Sequence, residues 1–179
     1  MKIKVVLFGE ENSGKTTLVK FFEADSISVE AMSRKGHTIT VGLDFGRLEV
    51  GGYHLYFFGT PGQERFDHTR QVVAQGAHLG ILMVDSVVAT NHGIQQRVFD
   101  FEQEMIRHKL PYVVCANKRD VPGVVSLSEI QRHFNVKVHP IVSTNGKGVD
   151  KVKSAMIDLL RSRYGEPGSK SKLVRRSSK

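Results

Sequence analysis

A run of apolar and β-branched residues, Ile3 to Phe8, stops at Gly9 and gives way to a polar, glycine-containing stretch. From Lys15 to Ala24 the positions Leu18, Val19, Phe21 and Phe22 recur at helical spacing, so the chain opens as strand, turn and helix. Residues 25–37 mix Asp25, Ser26, Ser28, Ser33, Arg34, Lys35 and Gly36 without a period and read as a mobile loop. Two strand-like runs, Leu43 to Val50 and Tyr53 to Phe58, flank Gly51-Gly52, where both central positions of a two-residue hairpin turn can take positive φ.

The pattern then changes. His78 to Asp85 and Tyr112 to Ala116 are short, nearly continuous apolar runs, as expected of strands covered on both faces. Between them Ile94, Val98, Phe101, Met105 and Ile106 predict a helix over Ile94 to His108. Ser126 and Glu129 have the spacing of a capping box that opens a helix running to about His133. Val138 to Val142 predicts a last strand, and Val149 to Tyr164 a last helix with Val152, Met156, Leu159 and Leu160 facing inward. Strands alternating with helices predict an open, mainly parallel α/β sheet to which the early hairpin adds one antiparallel edge strand.

A length of 179 residues suits one domain with a short appendage, and 40% hydrophobic with 25% charged residues is ordinary globular composition. The domain is expected over 1–164 and a basic, disordered tail over 165–179. Lys and Arg number 26 against 18 Asp and Glu, a formal charge of +8, but the tail alone carries five basic residues and one acid. About half of the excess charge therefore lies outside the predicted core. Two readings of the tail stand: a solubilising segment, or an electrostatic contact with acidic lipid, protein or nucleic acid. The single cysteine, Cys115, excludes an intrachain disulfide framework and suits a reducing cytoplasm; inside a buried strand it reads as an inert thiol. No apolar run reaches the length of a membrane span, and the chain opens directly on a strand rather than a signal peptide. It has neither a Met-Gly start nor a prenylatable terminal cysteine, so a cytoplasmic protein, at most peripheral to a membrane, is expected.

Gly9-Glu10-Glu11-Asn12-Ser13-Gly14-Lys15-Thr16 fits G-x-x-x-x-G-K-[ST] at every fixed position, between a predicted strand and a predicted helix. The glycines let backbone N–H groups wrap an anion, and the following helix offers its positive end. Lys15 supplies a point charge for β- and γ-phosphates, and the Thr16 hydroxyl can ligate Mg²⁺. A second loop, Asn117-Lys118-Arg119-Asp120, follows the strand ending at Ala116. A carboxylate at Asp120 can accept from both guanine N1–H and the exocyclic amine, whereas adenine has no donor at either place. Asn117 can bridge this loop to the phosphate loop, and the Lys118 stem can lie along the purine. Ser143-Thr144-Asn145 ends a third strand where a loop would close over the base.

With these motifs, the chain from Lys2 to Tyr164 resembles the small GTPases of the Ras superfamily, including prokaryotic Ras-like members related to the bacterial gliding-motility and polarity switch and Rab-like GTPases. The resemblance implies a P-loop fold, three-layer α/β/α with a six-stranded sheet, and binding of GTP and GDP with Mg²⁺. It implies nucleotide contacts along Gly9 to Thr17, that is Gly9, Glu10, Glu11, Asn12, Ser13, Gly14, Lys15, Thr16 and Thr17, and at Gly62, Asn117, Lys118, Asp120, Ser143, Thr144 and Asn145. Thr40 in Thr40-Val41-Gly42-Leu43-Asp44-Phe45-Gly46 resembles the first-switch threonine that joins Thr16 on Mg²⁺ and senses the γ-phosphate. Gly59-Thr60-Pro61-Gly62-Gln63-Glu64-Arg65-Phe66 resembles the second switch, D-T-A-G-Q-E-R-F, in which Gln63 would orient the attacking water. Gln63, Lys15 and Thr40 are the expected catalytic set, serving a slow GTP hydrolase that acts as a switch for effector and activating proteins; nucleic acid is not an expected partner.

Three departures keep alternatives open. Gly59 stands where the family has the aspartate that holds Mg²⁺ through water, Pro61 where it has alanine, and no aromatic residue lies between Phe22 and Phe45 to stack on guanine. A GTP/GDP-binding interaction module with little hydrolysis is therefore a second reading, and a P-loop ATPase using Asp85 a third. At Gly59 the expected result is a weaker hold on Mg²⁺, unless Asp44, Asp85 or ordered water fills the gap. Arg34 reads as a solvated loop arginine, with a built-in arginine finger as the alternative.

Overall fold

The structure is a computed structural model that describes residues 1–22, 30–32, 38–40, 44–63, 67–87 and 94–167, with the backbone alone at 30–32, 38–40 and 67. Its elements, in order, are β1 (Lys2–Gly9), α1 (Lys15–Phe22), β2 (Glu30–Met32), β3 (Thr38–Thr40), β4 (Asp44–Val50), β5 (Tyr53–Gly59), α2 (Asp67–Ala74), β6 (Leu79–Asp85), α3 (Gln96–Arg107), β7 (Tyr112–Asn117), α4 (Leu127–Gln131), β8 (Val138–Pro140) and α5 (Val149–Tyr164).

Six strands form one sheet in the order β4-β5-β1-β6-β7-β8, with only the β4–β5 pair antiparallel. Gly51 and Gly52 make the turn of that pair with φ of +57° and +78°, as the sequence predicts. The two-residue turn fixes the register: Val50 faces Tyr53, and counting back along both strands Asp44 faces Gly59. Residue alternation in β1 then sorts the core. Ile3, Val5 and Leu7 pack on one face with Leu18, Val19 and Phe22 of α1 and Val152, Met156 and Leu160 of α5. Val6 and Phe8 pack on the other with Val73 of α2, Val98, Phe101 and Met105 of α3 and Ile130 of α4. The result is helices on both faces of a mainly parallel sheet, which places every loop after β1, β5, β6, β7 and β8 at one edge.

The expectation for residues 25–37 is corrected. Within the stretch read as a loop, Glu30–Met32 pairs antiparallel with Thr38–Thr40 as a separate two-stranded sheet. Strands of three residues are too short to leave an alternation signal, and the rest of 25–37, Arg34 included, lies outside the described residues. Helix α2 had no sequence signal because Val73 is its one buried apolar side chain and Val72 is exposed. The Ser126 cap forms as expected, its hydroxyl accepting from the Glu129 N–H, although the helix it opens ends at Gln131. Cys115 is buried, and burial pushes its thiol up to about 12, so it stays protonated and inert.

The chain remains attached past α5. The buried Tyr53 hydroxyl donates to the Gly165 carbonyl at 2.6 Å, Glu166 pairs with Arg161 at 3.1 Å, and Pro167 packs on Gly52. Residues 168–179, most of the segment expected to be a tail, lie outside the described residues. A protein ending at Pro167 should melt roughly 2–4 °C above one ending at Tyr164, because the shorter one strands the Tyr53 hydroxyl at a cost of about 1 kcal/mol. Equal melting temperatures would show that these contacts contribute nothing. No helix of the described residues is long and apolar enough to cross a membrane.

Candidate functional site

The loop between β1 and α1 curls over the Lys15 ammonium. Lys15 is buried, and its Nζ donates to the carbonyls of Gly9 at 2.7 Å and Glu10 at 2.6 Å, with Ser13 Oγ at 3.5 Å. Burial pulls this ammonium down to about 8; the largest opposing influence is the charge of Asp44. Gly14, at φ +95°, could not carry a Cβ, which would overlap the Asn117 amide nitrogen. Thr16 and Thr17 follow on the first turn of α1, both half-buried, and Asn12 is exposed with φ of +60°.

Two acids punctuate this loop. Glu10 is half-buried, and burial raises its carboxyl above the usual range, Arg97 of α3 being the main charge that counters it. The Gln95 side-chain amide, oriented as its surroundings require, donates to the same carboxylate. Glu11 is exposed and accepts from Gln63 Nε2 at 3.3 Å. Arg97 Nε also donates to the Gly62 carbonyl at 3.1 Å, so α3 holds the segment after β5 against the phosphate loop. Gly62 rests on the backbone of Glu10 and Glu11.

Asn117 joins the second loop to the first. It is buried at the end of β7, its Nδ2 donates to the Ser13 carbonyl at 2.9 Å, and its Oδ1 accepts from the Ser143 N–H at 3.0 Å. Lys118 has φ of +64° and its ammonium meets Asp85 Oδ2 at 2.5 Å, while Asp85 Oδ1 accepts from the Val87 N–H at 2.9 Å. Asp85 is thus engaged both by the Lys118 side chain and by the backbone at Val87. Asp120, Thr144 and Asn145 are exposed at the mouth; Ser143 is buried, its hydroxyl without a hydrogen-bond partner among the described residues. Asn145 Oδ1 accepts from the Lys147 N–H at 3.0 Å and shapes this turn.

A metal is implied beside Thr16, and the donors there fit a hard cation. Thr16 Oγ1 donates to Asp44 Oδ2 at 2.5 Å, which brings a hydroxyl and a carboxylate oxygen together next to Lys15. Thr40 contributes its backbone to β3, but its side chain lies outside the described residues, as do Arg34 and Glu64. Three further residues neighbour the site. Arg97 is one. Asp44, 1% exposed and named from the sequence as a candidate to fill the gap at Gly59, is another. Phe21 is the third: it is 42% exposed on α1, and its ring lies against Gly146 in the loop after Asn145, an aromatic group at the base loop that the first-switch sequence lacks.

Residues 4–120 match the family described as Ras of Complex, Roc, domain of DAPkinase. An uncharacterized protein of Methanocaldococcus jannaschii is 32% identical over 136 residues, covering 76% of this chain and 82% of that one. The mutual gliding-motility protein MglA of Myxococcus xanthus is 28% identical over 180 residues, 88% of this chain and 89% of its own. In fold, the G domain of the T. maritima FeoB iron transporter superposes with a TM-score of 0.67 at 21% identity, covering 89% of this chain and 99% of that chain.

Proposed function

From a chain that belongs to the Roc family of Ras-like GTPase domains, we propose a guanine-nucleotide switch that binds GTP and GDP and slowly hydrolyses the former to GDP and phosphate. The observation that carries this reading is Asn117, whose one amide ties the phosphate loop at Ser13 to the base loop at Ser143. Phosphate and purine contacts thereby share one rigid frame. In it Lys15 neutralises β- and γ-phosphate charge, Asp120 reads guanine, and Lys118, oriented by Asp85, lies along the base. Mg²⁺, held from Thr16 and Thr40, would supply charge neutralisation at the β- and γ-oxygens. The γ-phosphate would order the segments around Thr40 and Gly62, which effector and activating proteins would read in the cytoplasm.

A second reading, binding with little hydrolysis, draws on Glu11. Its carboxylate accepts from the Gln63 amide, and an acid beside the γ-phosphate repels it and diverts the amide from water. Gln63 and Glu11 separate the two readings in single-turnover assays with GTP. Gln63→Leu should keep GDP binding and lower hydrolysis by roughly 100-fold, the size of a lost positioning effect. Glu11→Gly should raise hydrolysis above wild type by freeing Gln63. Hydrolysis unchanged in Gln63→Leu would remove Gln63 from the mechanism and make Arg34 or Glu64 the next residue to test, whereas wild-type hydrolysis at the uncatalysed rate would favour the binding-module reading.

A further inference from the structure

The family's metal-holding aspartate is glycine here, and the space beside it is filled. A Cβ built on Gly59 would lie 2.8 Å from Asp44 Oδ2 and 3.0 Å from Asp44 Cβ. Asp44 therefore reaches, from the neighbouring strand, into the volume that a side chain on Gly59 would enter. The reach follows from register, since the two residues are direct partners across the β4–β5 pair and side chains of opposed residues share one face. The carboxylate is 1% exposed, receives the Thr16 hydroxyl at 2.5 Å, and is the foremost charge supporting the buried Lys15 ammonium. Asp85, the acid at the end of β6, is engaged by Lys118 and the Val87 N–H.

We infer that Asp44 replaces the missing second-switch aspartate as the carboxylate that holds the nucleotide's Mg²⁺, and that Gly59 is glycine because Asp44 needs its space. The inference rests on the guanine-nucleotide reading above. It reverses the expectation that this chain grips Mg²⁺ weakly in the diphosphate state: the carboxylate is retained and has changed strands. Because β4 directly follows β3, which ends at Thr40 in the first switch, while β5 leads into the second, the transfer also moves the metal's carboxylate onto the strand next in sequence after the first switch.

The test is release of a fluorescent GDP analogue from the full-length protein as a function of free Mg²⁺. Wild type should release GDP much faster in EDTA than in millimolar Mg²⁺. Asp44→Asn should raise the Mg²⁺ concentration needed to slow release by roughly 10–100-fold, the usual effect of losing a group that orients a metal's ligands. Gly59→Asp alone should weaken Mg²⁺ control, since two carboxylates compete for one volume. The exchange of both residues, Asp44→Gly with Gly59→Asp, should restore it. An Asp44→Asn protein with wild-type Mg²⁺ dependence overturns the inference. If that variant does not fold, the exchanged protein decides, and binding of GDP without restored Mg²⁺ control overturns it equally. Failure of the wild type to bind GDP at all would instead strike the nucleotide reading.

Discussion

Lys15→Ala is expected to abolish nucleotide binding in any practical assay. The ammonium is buried under the loop with two backbone carbonyls as its hydrogen-bond partners, a pre-set point charge where β- and γ-phosphates belong. Two charge-assisted hydrogen bonds to phosphate contribute about 3–6 kcal/mol, or roughly 10²–10⁴ in affinity. The fold should survive, because alanine is a good helix former at the start of α1 and the substitution removes a charge that burial penalises. Titration calorimetry with GDP measures the loss, and retained affinity would exclude this loop as the phosphate site. The same lysine gives wild type a pH dependence. With its ammonium at about 8 in the protein alone, phosphate binding raises that value and takes up a proton once the pH exceeds 8. The contribution of Lys15 is therefore complete below about pH 8, and GDP affinity should fall by up to tenfold per unit above it.

Asp120→Asn should redirect the base preference. The carboxylate accepts from two donors on guanine; the substituted amide can accept from only one and presents its own donor to the other. Loss of a hydrogen bond to a charged acceptor, worth about 1.5–3 kcal/mol, predicts a drop of roughly 100-fold for GDP. Xanthosine diphosphate carries a carbonyl where guanine has its amine, and its affinity should rise correspondingly. Wild type should favour GDP over ADP by about 10⁴ or more, since a site built to pair a donor rejects the analogue without it. Competition against a fluorescent GDP analogue reads all three ligands. Equal affinity of wild type for ADP and GDP would sink the guanine assignment, as would a substitution that leaves the xanthine-to-guanine ratio unchanged.

Much of this architecture is legible before any coordinates. The β1 run, the Gly51-Gly52 turn and the α5 stripe carry strong periodic signals, and their bounds agree with the structure to within a residue or two. The proposed nucleotide loops are legible for another reason: phosphate wrapping and guanine pairing each demand particular residue types at fixed spacing. Asp44 was harder because its role depends on a cross-strand neighbour, and a linear motif cannot display that. The pairing could still be counted back from the two-residue turn. Arg97 and Phe21 gave no such handle, since tertiary packing alone brings one to Gly62 and the other to Gly146. The β2–β3 pair and α2 left no signal because three-residue strands and a helix with one buried apolar side chain carry too little hydrophobic pattern.

In the proposed site, Asn117 would couple the binding of a nucleotide's two ends. Because its amide fastens Ser13 to Ser143, a purine docked on one loop would present its phosphates to the other without any further search. Tethering of this kind acts as a high effective concentration, so the joined ligand binds far better than either fragment would suggest. Guanosine and inorganic pyrophosphate, offered as separate molecules, should each bind feebly, and their free energies should not add up to that of GDP. A partner that loosened the Asn117 fastening would therefore eject nucleotide without displacing a single phosphate or base contact directly.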